Sequence, residues 1–158
     1  MKYRQLTTEQ LNEMHEEFAV FLATQKIDSD KWQEIKDTSP EMVAEEINLF
    51  SDLVWEKVLS KIKYLTNFSG NSLNLFRLDE ELIYRIVIKC EKENFDFSKK
   101  EDYNWFINNS KDTSITYFKG QKTYFKEKNL EKFELIEKGC TMDKGELFEL
   151  VSSISNKL

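Results

Sequence analysis

The feature that most constrains the fold of this chain is a change in hydrophobic period near Tyr64. Before it, apolar residues such as Val43, Ile47, Phe50 and Val54 recur at intervals of three and four, a spacing that predicts helices. After it, SLNLFRL and ELIYRIVIKC alternate apolar and polar residues. This two-residue period predicts two strands joined as an antiparallel hairpin.

The order of the predicted elements defines the fold class. N-terminal helices, the longest over about 40–63, precede a central antiparallel sheet over about 64–125, and C-terminal helices follow. The chain has 158 residues but only 4 Gly and 1 Pro, so long irregular linkers are not expected. The sequence therefore predicts a single α+β domain over 1–158.

Local signals predict where the helices and strands begin and end. A first helix should run from Thr7 to about Gln25, and SITYFKGQKTYF should form a second pair of strands that turns near Gly120. Gly139 should end a helix as the residue after the C-cap. Three pairs of residues have the spacing of a capping box: Thr7 with Gln10, Ser98 with Glu101, and Asp143 with Glu146.

The charge of the chain argues against several functions. With 23 Lys+Arg and 29 Asp+Glu, its formal net charge is −6 and its pI about 5.0, so nucleic-acid binding is not favoured. No apolar stretch predicts a membrane span or a secretory signal. Cys90 and Cys140 are isolated in the sequence and are expected to be reduced. We therefore expect a cytoplasmic protein.

The only histidine, His15, lies in the acidic stretch EMHEEF. On a helix it follows Leu11 by four residues and precedes Phe18 by three, so the pattern predicts a partly buried structural residue. Its spacing from Cys90 and Cys140 matches no usual zinc site. We expect no catalytic residue, metal or cofactor, and a cost on the order of 1 kcal/mol for His15→Gln.

Two other arrangements could support a function. Glu41, Glu45, Asp52 and Glu56 form an acidic stripe on helix 40–63, which is compatible with a small enzyme that uses carboxylates. The segment 117–128 interleaves four lysines with aromatic residues, as an RNA-associated protein could. The acidic stripe is equally explained as the solvated face of a helix. The lysines of the segment 117–128 are equally explained as protection of an edge strand against aggregation.

The stretch LFSDLVWEKVL is apolar almost all round a helix, so it is either buried on several sides or forms a surface for a partner. The residues of the candidate interaction surface are Leu49, Asp52, Trp55, Glu56 and Leu59. They favour a non-catalytic interaction or regulatory module, with a basic protein or a second copy of the chain as partner. A deep pocket lined by two or more carboxylates or lysines would instead favour an enzyme, whereas a flat apolar patch would favour the binding module.

Several stretches together resemble a known family: KYRQLT, HEEF, FLATQ, LFSDLVWEKVL, YFKG and KGELF. They are similar to a small bacterial family of unknown function, and the resemblance covers nearly the whole chain. It implies a free-standing cytoplasmic protein. Because no activity is assigned to that family, the resemblance implies no catalytic residue.

Overall fold

A computed structural model describes residues 1–155. The chain forms two compact units, Met1–Ser60 and Lys61–Leu158. The described residues form seven helices and a five-stranded antiparallel sheet. The α+β class, with helices before and after a central group of strands, is confirmed, and the grouping of residues 1–158 as one domain stays a prediction.

The unit Met1–Ser60 is helical. Its helices are α1 (Thr8–Glu13), α2 (His15–Thr24), α3 (Ser29–Thr38) and α4, which begins at Pro40 and ends at Lys61. The capping box of Thr7 and Gln10 is confirmed. The single helix predicted from Thr7 is wrong, because the backbone of Met14 leaves helical geometry at φ −103° and ψ 25°. Apolar periodicity continues across this break, so the pattern does not reveal it.

The core of this unit is rich in aromatic side chains. The Phe18 ring lies 5.0 Å from the ring of Phe50 and 5.4 Å from that of Trp32, measured between centroids. Val43, Ile47 and Val54 of α4 pack against the same cluster. Tilted and edge-to-face ring pairs of this kind add stability beyond the apolar area that they bury. One face of α4 is therefore fixed by the neighbouring helices.

The unit Lys61–Leu158 contains the sheet. Its strands are β1 (Tyr64–Ser69), β2 (Ser72–Leu78), β3 (Leu82–Cys90), β4 (Ile115–Thr123) and β5 (Thr141–Asp143), in the order β4-β3-β2-β1-β5. The predicted hairpin of β2 and β3 is confirmed, with Leu75 opposite Ile86. The predicted second hairpin is wrong, because β4 runs unbroken through Gly120. The sheet also extends beyond the predicted 64–125, since β5 pairs with β1.

Three helices accompany the strands: α5 (Lys100–Asn108), α6 (Lys128–Glu137) and α7 (Glu146–Ser155). Gly139 follows α6 with φ 103°, as predicted. The other two capping boxes are wrong. Ser98 donates its hydroxyl to Asp96 and does not cap α5, while Asp143 belongs to β5 and accepts the hydroxyl of Thr66.

The two faces of the sheet differ in character. One face packs Leu75, Ile86 and Ile88 against Phe106 and Phe148 of α5 and α7. The opposite face carries the alternate residues of each strand and is polar over much of its area. Helix α6 lies beside this second face.

Helix α6 also contains a buried cation. The ammonium of Lys132 is enclosed and donates to the backbone carbonyl of Ile62 at 2.6 Å. Loss of hydration on burial lowers the pKa of this lysine.

Candidate functional site

The residues predicted to form an interaction surface on α4 differ widely in exposure. Leu49 is 48% exposed, Leu59 is completely buried, and Asp52, Trp55 and Glu56 are half-buried. Leu59 therefore cannot belong to a surface for a partner. Burial therefore explains the apolar residue at position 59, but not those at positions 49 and 53, which are exposed.

The carboxylate of Asp52 is occupied by the start of the chain. It accepts the backbone N–H of Lys2 at 2.7 Å and that of Tyr3 at 2.9 Å. Hydrogen bonds from backbone donors to an ionised carboxylate are among the stronger kind. Asp52 thus fixes the N-terminal segment to α4, a role that its position in the sequence does not reveal.

Glu56 holds the same segment one turn further along the helix. One of its oxygens accepts from the ammonium of Lys2 and from the hydroxyl of Tyr3, both at 2.5 Å. Burial and the bond to Glu56 raise the pKa of Tyr3 to about 12. The acidic flank predicted to attract a basic partner is therefore already neutralised, in part, by the chain's own basic N-terminal residues.

Trp55 is also contacted from this segment. The guanidinium of Arg4 lies over its ring at 5.0 Å from the centroid, within the range of a cation–π interaction. The indole is half-buried, so it remains partly accessible but is not an open aromatic anchor. A different set of side chains forms the exposed face of α4.

That face is an apolar stripe formed by Met42, Leu49 and Leu53, which are 43%, 48% and 56% exposed. At about 100° per residue the three side chains fall within a sector of roughly 40°. Glu45 and Glu46 flank the stripe on opposite sides. We refer to Met42, Leu49 and Leu53 as the α4 stripe.

The structure does not favour the carboxylate alternative for an enzyme. Glu41 and Glu45 are exposed, while Asp52 and Glu56 bind the N-terminal segment. His15 is exposed rather than partly buried, because it begins α2 after the break, and its Nδ1 lies 3.1 Å from the carbonyl of Asn12.

The lysines of segment 117–128 do not form a continuous cationic surface. Each of three has a carboxylate partner, in the ion pairs Lys122–Glu131, Lys126–Glu134 and Lys128–Glu80. Along β4, successive side chains also point to opposite faces of the sheet. This arrangement does not favour the RNA-associated alternative.

A cavity of about 560 Å³ lies on the polar face of the sheet, beside α6. Three cationic side chains line it, from Arg85 on β3, Lys122 on β4 and Lys138 just after α6. The amides of Asn67 and Asn74, directly opposed on β1 and β2, line it as well. The alternation of β2 and β3 places Asn74 and Arg85 on the outward face, but only the fold brings Asn67 and Lys138 to them.

The described part of the chain lacks two further features. Within residues 1–155, no group of three or more His, Cys, Asp and Glu is placed to hold a metal ion. No helix in the same range is long and apolar enough to cross a membrane. Cys90 and Cys140 are both buried and free.

These features define an α+β protein with a helical unit that exposes an apolar stripe and a sheet unit that carries a cationic cavity. A family model matches residues 1–156, and the chain belongs to the family of unknown function DUF6495. No curated protein and no solved structure is significantly similar to it.

Proposed function

We propose that this protein is a cytoplasmic, non-catalytic interaction module of bacterial origin that binds a basic protein partner through the α4 stripe. The observation that carries the proposal is the exposure of Met42, Leu49 and Leu53 on one sector of a helix that packs another face against the core of its unit. Aligned apolar residues at this spacing are typical of helices that enter a groove on a partner. The buried free cysteines suit a reducing compartment.

The charge of the helical unit supports a basic partner. Residues 1–60 contain 6 Lys+Arg and 13 Asp+Glu, a formal net charge of −7, whereas residues 61–158 contain 17 and 16, a net charge of +1. The negative charge of the chain is therefore concentrated in the unit that bears the α4 stripe. Such a field accelerates encounter with a cationic surface.

The same charge disfavours a homodimer through this surface. Two copies paired by the α4 stripe would place Glu45 and Glu46 of each copy near the same residues of the other. Like charges at an interface cost free energy and select against a pairing. We therefore favour a different, basic protein over a second copy of the chain.

A photo-crosslinking amino acid at Leu53 tests the proposal in living cells. We expect one adduct of defined mass from this position and none from Val20, an exposed apolar residue of the same unit. Glu45→Lys should weaken binding of the identified partner to purified protein, and Leu49→Ser should weaken it about tenfold.

The outcomes separate the alternatives. Equal crosslinking from Leu53 and Val20, or unchanged affinity in both variants with folding intact, would refute the α4 stripe as the binding surface. Self-association would be shown instead if sedimentation found a dimer of the 18.9 kDa chain for the wild type and a monomer for Leu49→Ser.

A further inference from the structure

We infer that the cavity on the polar face of the sheet binds a small molecule that carries a phosphate group, held by Arg85 and Lys138. The inference is independent of the function proposed for α4. The lining contains three cations and no carboxylate among the described residues, although Asp+Glu outnumber Lys+Arg in the chain by 29 to 23. A volume of about 560 Å³ suits a ligand of metabolite size.

The guanidinium of Arg85 is held in place before any ligand arrives. Its Nε and Nη2 donate to Oδ1 of Asn74 at 3.1 and 2.5 Å, and it lies over the ring of Phe76 at 5.5 Å. No carboxylate pairs with Arg85 within residues 1–155. Since a guanidinium has five N–H donors and two are used here, donors remain for phosphate oxygens.

The charge balance of the cavity is positive. No carboxylate of the described residues pairs with Lys138, and Lys122 shares its charge with the adjoining Glu131 at 3.1 Å. Burial raises the pKa of the Cys140 thiol, so this side chain stays neutral and adds no negative charge. Glu134 lines the adjoining pocket with Glu131 and is paired with Lys126. Each of these two carboxylates is thus matched by a lysine, which leaves the charges of Arg85 and Lys138 for an anion.

The rest of the lining suits a polar ligand body rather than a nucleic-acid strand. Asn67 and Ser69 offer donors and acceptors for hydroxyl groups or a heterocycle edge. Single-stranded nucleic acids are usually held by exposed aromatic faces. The one aromatic residue in this lining, Phe76, is buried, which favours a small molecule over RNA.

Gly120 provides a way to close the cavity without disturbing the protein. It lies opposite Arg85 in the register of β3 and β4, and a Cβ built on it meets no atom within 4 Å. Gly120→Phe should therefore fill the cavity while the strand is retained. Lys89→Gln is the matched control, because Lys89 lies on the same face of β3 but outside the lining.

The test is a titration of the full chain, at low ionic strength, with ribose 5-phosphate, adenosine monophosphate and inorganic phosphate, followed by amide chemical shifts. We expect shifts around Gly120 and Gln121 with at least one phosphate ester. Arg85→Gln and Gly120→Phe should each weaken this binding at least tenfold, and Lys89→Gln should change it less than twofold. Amide spectra of the free variants establish that they are folded.

Several results would overturn the inference. One is the absence of localised amide shifts with every probe at about 10 mM, a concentration above a millimolar dissociation constant. Another is equal binding by the Gly120→Phe variant. A single-stranded RNA ten nucleotides long that binds more than tenfold tighter than the monophosphate, in a manner dependent on Arg85, would show a nucleic-acid surface instead.

Discussion

Ser51→Ala should destabilise the helical unit although it removes a single oxygen atom. Ser51 is completely buried in α4, and its Oγ accepts the backbone N–H of Leu6 at 3.0 Å. Without it, that N–H is left in a site closed to water, at a cost of about 1–3 kcal/mol. Alanine recovers up to about 0.5 kcal/mol through its higher helix propensity. We therefore expect a net loss of about 0.5–2.5 kcal/mol in the free energy of unfolding.

The measurement is urea-induced unfolding followed by circular dichroism and tryptophan fluorescence. Ser60→Ala is the matched control, since Ser60 is an exposed serine of the same helix whose hydroxyl donates to the carbonyl of Lys57. This control should be neutral or stabilising by up to about 0.5 kcal/mol. If the two variants differ by less than about 0.5 kcal/mol, the bond from Leu6 does not fix the N-terminal segment and the reasoning fails.

Three further predictions concern single side chains. The pKa of Tyr3 in the folded protein is raised to about 12, so as the pH rises this phenol loses its proton in the unfolded chain before it does so in the folded one. The free energy of unfolding should therefore fall between about pH 10 and 12, by up to about 1.4 kcal/mol per pH unit. Tyr3→Phe should show a smaller fall between about pH 10 and 12 in urea melts, and an equal fall would contradict this. Because His15 is exposed, His15→Gln should change the free energy of unfolding by less than about 0.5 kcal/mol, and not by the 1 kcal/mol predicted from the sequence. A comparison of the thermal unfolding of the two proteins distinguishes these values. Gly145→Ala should lower the free energy of unfolding by more than about 2 kcal/mol. The φ angle at this position is +91°, and the new Cβ would lie 2.4 Å from the Tyr64 ring. A variant that keeps the wild-type melting temperature would refute the clash.

The main lines of the fold follow from local patterns. The change of period at Tyr64 marked where the sheet begins, but no strand was predicted over β1, whose burial pattern does not alternate. Alternation identified the hairpin of β2 and β3, because each of these two strands buries one face along most of its length. β5 has only three residues, too few for a period to show. Gly120 resembles a turn residue in the sequence, yet in the structure it continues β4 opposite Arg85.

The candidate sites were harder to predict, because they depend on contacts between distant residues. Asp52 and Trp55 have the composition of an interaction surface, but residues at the start of the chain, about 50 positions away, bind both of them. The side chains of the cationic cavity come from β1 to β4 and from the end of α6. No local pattern places Lys138 beside Arg85.

The buried Lys132 has a consequence for chemical labelling. An amine with a lowered pKa is more often deprotonated and so intrinsically more nucleophilic, but the enclosed Nζ, bound to the carbonyl of Ile62, cannot meet an acylating reagent. Exposed lysines such as Lys26 and Lys111 should be acylated at once. Lys132 should be acylated only when this part of the molecule opens, so its rate of acylation reports the rate of that opening.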